Sequence, residues 1–445
     1  MDATNSTFTL RGGRRADRGF AVGDVFIAGG RIVPTAPRDA QEIDARGCLV
    51  LPGLVLGHTH LYSALSCGMP APPERPQDFP DILRLVWWRL DRALDLELCE
   101  TSAAVGAWLA VRCGVTTLVD HHASPAAIGG SLEAVTRGVE RAGLRGVLCY
   151  ELTDRNGPEG AAAGLAETDH FLTALRDGRH PLIRGLVGGH APFTLGADTL
   201  RAAADLCDKH DVGFHVHVSE DTTDDRRARA DLGRSPLTRL EEAGLMRRGT
   251  IIGHGVHLSA FERSVLAERG VFVAHNPRSN QNNHVGYARP LTQGPNVMLG
   301  TDGIGADLFA EGQAAFYAGR ADDRNFDAAH VQTMLDTSRR YAAERFGEPL
   351  LGTLEPGAPA DVVVLDDRSP TPVTAGNWPW QFIFTQSASA VRDVFVAGRP
   401  RLLHRVAAAD VGESDLLAAA RDAAPRLWAR LAEIAPDPPT APRRA

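Results

Sequence analysis

Two pairs of histidines, each pair separated by a single residue, carry most of the chemistry legible in this chain: His58 with His60, and His215 with His217. In a β-strand the side chains at i and i+2 point the same way, so each pair can present two imidazoles to one point. A hydrolytic metal site needs neutral imidazoles and a carboxylate around one ion, with a position left open for water. His58, His60, a histidine of the second pair and Asp302 supply that set. Both His215 and His217 fit the spacing. His217 is preferred, because Glu220 follows it at the strand end within reach of water on the ion, and His215 stays as the alternative.

An ion in such a site lowers the pKa of its water to about 7. Asp302 is then placed to accept the water's proton, and Glu220 to protonate a substrate nitrogen and afterwards the leaving group. His254 can orient the nucleophile or polarise the substrate. One divalent ion per chain is expected, zinc first and iron second, since both suit three histidines and an aspartate.

These residues sit where apolar runs stop. The first run, Val50 to Gly57, reads as one buried strand ending in His58 and His60. Seven more follow: Val115 to Asp120 before His121 and His122, Leu144 to Tyr150 before Glu151, Ile183 to Gly189 before His190, Val212 to Val218, Thr250 to Gly253 before His254, Val271 to Ala274 before His275 and Asn276, and Val297 to Gly300 before Asp302. Helical patterns separate them, among them Leu96 to Cys113, Ser131 to Ala142, Ala197 to His210 and Ala328 to Phe346. Eight strands delivering polar groups at their C-terminal ends predict an α/β fold, a (β/α)8 TIM-like barrel with its site on that face.

Asp24 to Arg31 and Asp393 to Arg399 are near copies, so the two chain ends are expected to build one small β-sandwich domain from residues 1–50 and 355–410. The barrel then spans 51–354, and a C-terminal helix (Glu413 to Ile434) and frayed tail (Pro436 to Ala445) fill 411–445. The stretch Ser66 to Asp95 exceeds a plain connection. Its proline-rich half must be irregular, and its helical half, around Trp87 and Trp88, is a candidate lid or pocket wall with Trp88 against the substrate.

Composition narrows the class. The 445 residues are 44% hydrophobic with a net charge of -8, which offers no attraction to nucleic acid or anionic lipid. No apolar run nears the ~18 residues of a membrane span, and six scattered cysteines form no metal or disulfide pattern. A cytoplasmic protein acting on a small molecule is expected, with a homo-oligomer as one possible state; Trp378 and Trp380 could serve as core or contact surface.

The motifs PGLVLGHTH, HVHVSE, IIGHGVHL, VAHNPRSN and LGTDG, in this order, resemble the amidohydrolase superfamily, in its cytosine-deaminase and chlorohydrolase-like branch. GTLEPGAPADVVVLD resembles that family's return from barrel to small domain. FPDILRLVWWRLDRALD, DHHASP and LCYELTDRNG resemble the SsnA-type aminohydrolases within it. The resemblance implies one metal bound by His58, His60, His217 and Asp302, with Glu220 and His254 catalytic, and it places His190 of GGHAPFTL in the substrate pocket. His121, His122, Asn276 and Asn280 are further candidates for substrate contact. Binuclear relatives bridge two ions with a carboxylated lysine, commonly on the fourth strand. The sole lysine here is Lys209, before the fifth strand, so one metal is expected.

The implied reaction is deamination of an amino-substituted heterocycle such as a purine, pyrimidine, pterin or triazine. The alternatives are hydrolysis of a cyclic amide or another C–N or C–Cl bond at the same metal, and binding without turnover.

Overall fold

The computed structural model describes residues 7–289 and 294–438; the last seven residues of the expected frayed tail lie outside them. Eight strand positions pair in sequence order as a parallel sheet: Leu54–Thr59, Val115–His122, Arg145–Leu152, Ile183–Gly185 continued by Val187–Gly189, Phe214–Val218, Ile251–His254, Phe272–His275 and Val297–Leu299. Helices Leu96–Arg112, Ser131–Ala142, Ala197–His210 and Ala328–Phe346 lie within a residue of where the apolar spacing puts them. The barrel strands are buried on both faces, as parallel strands under helices must be.

The barrel closes at its functional end. The first and eighth strands meet through a bridge between Thr59 and Asp302, and the amides of Thr301 and Asp302 both donate to His58 O, at 2.9 and 3.2 Å. Glycine permits this approach. A Cβ at Gly300 would stand 2.9 Å from His58 Cβ and 2.3 Å from Asn276 Oδ1, and one at Gly57 would meet Met298 Cβ at 2.9 Å.

One strand reading needs correction. The apolar run through Val50 is two strands, not one: Cys48–Pro52 belongs to the sheet built from the chain ends, and Leu54–Thr59 opens the barrel. The break falls at Gly53, which passes so close to Thr116 that a Cβ would lie 2.0 Å from its Oγ1. Apolar content alone does not reveal the switch, because both strands are buried.

Among the described residues the sheet from the chain ends has nine strands. Cys48–Pro52 stands between Val362–Asp366 and Phe8–Arg15, with later C-terminal strands outside the one and N-terminal hairpins outside the other. It is a single hydrogen-bonded sheet that curls over its own core, so that the Phe8 and Phe395 rings meet at 5.3 Å. The two look-alike hairpins touch at their turns, Gly398 packing on the backbone of Gly30. Trp378 packs on Phe20 at 5.0 Å, whereas Trp380 is exposed. The C-terminal helix, Glu413–Glu433, lies against Leu96–Arg112 and the segment after the first barrel strand, with Trp428 donating to Leu65 O. Among the described residues no helix is long and apolar enough to cross a membrane.

Candidate active site

Side chains from strands one, five and eight converge at the closed end of the barrel. Ligand atoms of His58, His60, His217 and Asp302 all lie within 4.8 Å of one another. His60 Nε2 is 2.9 Å from Asp302 Oδ1 and 3.2 Å from His217 Nε2, and His58 Nε2 is 3.4 Å from Asp302 Oδ1. His215 is not in this group. It lies deeper in the barrel, where His58 Nδ1 meets its Nε2 at 3.0 Å.

The tautomers follow from the partners. His60 Nδ1–H donates to His121 O (2.6 Å) and His217 Nδ1–H to His190 O (2.8 Å), since a carbonyl only accepts. Their Nε2 atoms therefore face each other across 3.2 Å. Burial holds His58 down at about 3 and His217 well below the ordinary histidine value, so both rings are neutral, and His58 Nε2 has no hydrogen-bond partner among the described residues. Burial also pushes Asp302 up, but His58 and His60 outweigh it and keep the carboxylate ionised. Such a group demands a positive charge at its centre. A proton on His60 can meet that demand, because Asp302 and other carboxylates overcome burial and hold it up at about 9. A divalent ion meets it with all four groups, and neutral imidazoles plus a carboxylate are the donors zinc or iron takes.

Beside this group stand Glu220 and His254. Burial lifts the Glu220 carboxyl to about 7, with His254 opposing and Asp302 adding to the rise. Its Oε2 lies 3.4 Å from His254 Nε2. Ser219, His254 and Asp302 all take left-handed backbone angles, φ 51°, 68° and 54°, at the strand ends that carry the site.

A cavity enclosing about 50 Å³ opens next to the group. Trp88 and His190 line it, as does Asp302. His121, His122 and Asn276, candidates for substrate contact from sequence, do not, and each is held in another way. His121 Nε2 faces Gly189 O and His215 O inside the barrel, while its Nδ1 lies 3.2 Å from Glu151 Oε2. His122 pairs with Ser124 Oγ at 2.9 Å. Asn276 is fully buried against Gly300. Asn280 accepts from His254 Nδ1 at 2.8 Å and is also absent from the lining.

Several residues escaped the sequence reading. Ser279 Oγ donates to Asp302 Oδ2, and Asn283 Nδ2 to Glu220 Oε1 at 3.2 Å. Glu151 and Asp91 line the cavity; Asp91 shares one oxygen with Arg155, whose guanidinium lies 4.7 Å over the Trp88 ring. Glu151 ends an apolar run just as His190 does, and that position was the available signal. Lys209 pairs with Asp169 at 2.7 Å and is half exposed, away from the barrel mouth.

A parallel eight-stranded barrel with a His3Asp group and a buried glutamate beside it at its C-terminal mouth defines a metal-dependent hydrolase. The family model "Amidohydrolase family" matches residues 49–401, and the chain belongs to that family. It is 31% identical over 393 residues to a 5'-deoxyadenosine deaminase of Methanothermobacter thermautotrophicus, covering 86% of this chain and 89% of that protein. It is also 31% identical over 398 residues to a 5-methylthioadenosine/S-adenosylhomocysteine deaminase of Desulforudis audaxviator, covering 84% and 88%. Among solved structures it resembles a zinc-bound adenosine deaminase from Xanthomonas campestris, with TM-score 0.80, 24% identity and coverage of 95% and 98%. The zinc complex of an Arthrobacter aurescens atrazine chlorohydrolase gives TM-score 0.78, 22% identity and coverage of 94% and 100%.

Proposed function

We propose that this amidohydrolase is a zinc-dependent aminohydrolase that removes the exocyclic amino group of an uncharged adenine nucleoside. The observation that carries the reading is the convergence of His58, His60, His217 and Asp302 on one point, set beside Glu220 and His254. The curated relatives named as deaminases of adenosine derivatives support the substrate class, and the zinc-bound structural neighbours support the choice of metal.

His58, His60, His217 and Asp302 hold the ion, which when bound supplies the Lewis acidity that makes water a nucleophile at neutral pH. Asp302 takes a proton from the attacking water as the new C–O bond forms at the ring carbon bearing the amino group. Glu220 delivers its proton to the adjacent ring nitrogen. As the C–N bond breaks, Glu220 takes up the hydroxyl proton of the adduct and passes it to the departing ammonia, and the proton held on Asp302 restores Glu220. His254, anchored by Asn280, holds the nucleophile in line, and Trp87, Trp88 and Phe193 keep bulk water out.

The cavity wall favours a substrate without phosphate or carboxylate. Asp91, Glu151, Asp221 and Asp224 line it along with Glu220 and Asp302, and among the described residues no lysine or arginine does. An anionic group would find no cation to pair with on this wall, whereas hydroxyl and amino donors find carboxyl acceptors. The six cysteines are free, which suits a reducing cytoplasm.

The test is ammonia release by zinc-loaded protein from 5'-deoxyadenosine, methylthioadenosine and adenosine 5'-monophosphate. The first two should be turned over, with the monophosphate at least about tenfold slower. Glu220→Gln should retain one zinc per chain and lose turnover by about a hundredfold or more. Full activity in that variant would remove Glu220 from the chemistry, and silence on every adenine compound would overturn the substrate class.

A further inference from the structure

Three side chains from one short stretch each hold one reacting group. The stretch is the helix Pro277–Asn282 with the residue that follows it, directly after the seventh barrel strand. Ser279 donates to Asp302, Asn280 accepts from His254, and Asn283 donates to Glu220. Asn283 differs from the other two because it lines the cavity itself.

The orientation of its amide follows from its partners. Asn282 Nδ2 donates to Asn283 Oδ1 at 3.1 Å, which leaves Asn283 Nδ2 to donate to Glu220 Oε1 at 3.2 Å and to Ser279 Oγ at 3.3 Å. The reversed amide would set an oxygen against the Glu220 carboxyl and an NH2 against the NH2 of Asn282. With Oε1 engaged by an N–H donor, Oε2 is the oxygen available to carry a proton. It is also the one 3.4 Å from His254 Nε2.

We propose that Asn283 is a positioning residue that fixes the rotation of the Glu220 carboxyl, so that Oε2 alone carries the proton between substrate and departing ammonia. The catalytic consequence rests on the aminohydrolase reading; the hydrogen bond does not. A carboxyl free to turn would present either oxygen, and part of the population would then hold its proton away from the reacting atoms.

The experiment compares zinc-loaded, full-length Asn283→Asp and Asn283→Ala with the wild type. Asn283→Asp keeps the shape and replaces the N–H donor with an acceptor, so a merely space-filling role predicts wild-type behaviour there. Difference infrared spectra against Glu220→Gln isolate the Glu220 carboxyl bands, which should shift in both variants. With 5'-deoxyadenosine as the probe, kcat should fall about 10- to 100-fold. KM should stay within about threefold, since the lost contact acts on the chemical step. Zinc should remain at one per chain. Unchanged Glu220 bands in both variants, or wild-type kcat in Asn283→Asp, would overturn the proposal. A wild type that releases no ammonia would count against the aminohydrolase reading, and the infrared bands would still decide the role of Asn283.

Discussion

Glu311, in the helix Leu308–Asp322, accepts from the amide of Arg278 at 2.9 Å through Oε1, with Oε2 3.6 Å from the Arg278 guanidinium. It thereby anchors the start of the stretch that holds Ser279, Asn280 and Asn283. Burial pushes its carboxyl up to about 8, and Arg278 offsets only part of that rise. The folded chain therefore binds a proton there that the unfolded chain, with an ordinary value of 4.5, has released. Stability should fall as pH rises from about 4.5 to about 8. Glu311→Gln should match the wild type at pH 5 and exceed it at pH 8 by roughly 1–3 kcal/mol, read by thermal denaturation at both pH values. Equal Tm differences at the two pH values would show that Glu311 is not protonated in the fold. The sequence does not announce Glu311, because its environment comes from a short helix some thirty residues away. The same reason hid Asn283, whose partner Glu220 lies on another strand connection. The convergence of His58, His60, His217 and Asp302 was legible because residue type, spacing and strand-end position coincide, whereas His121 stayed open between substrate contact and structural bonding, and its ring turns inward to backbone carbonyls.

The element that shapes the cavity is the helical stretch from Phe79 to Ala93, which passes through a π turn at Leu83–Trp87. Such a turn shifts the register of the side chains after it. It brings Trp87, Trp88 and Asp91 to the cavity. This wall is held from behind by the end of the C-terminal helix. Arg89 donates to Leu431 O and Ile434 O at 2.7 and 2.8 Å, and Arg92 pairs with Asp437 at 3.0 Å. Arg89→Ala removes both bonds, leaving Leu431 O only the Ile434 amide at 3.2 Å, and should loosen the wall. Acrylamide quenching of tryptophan fluorescence should increase, KM should rise about three- to tenfold, and zinc content should not change. Unaltered quenching would show that the tail does not restrain the wall. A wall over Ser66–Asp95 was readable from proline content and helical spacing. Its clasp was not, since the carbonyls that form it have no signature in sequence.

For the molecule as a whole, the closing hydrogen bonds of the barrel and the candidate metal ligands occupy the same few residues. Gly300→Ala drives a methyl group into His58 and Asn276, so zinc stoichiometry should drop below one per chain. Retention of a full equivalent would show that the seam tolerates spreading. Removing the metal should lower Tm by roughly 5 °C or more, because an ion bound only by the folded chain stabilises it by mass action. Amide exchange at Thr301 and Asp302 should quicken at the same time, since both donate to His58 O.

A strand pair shut by the residues that would hold the metal is expected to tie the lifetime of the folded chain to that metal. In a cell short of that metal, quality control would clear the protein rather than store it as an inactive reserve, and its abundance would report metal supply before any change in transcription.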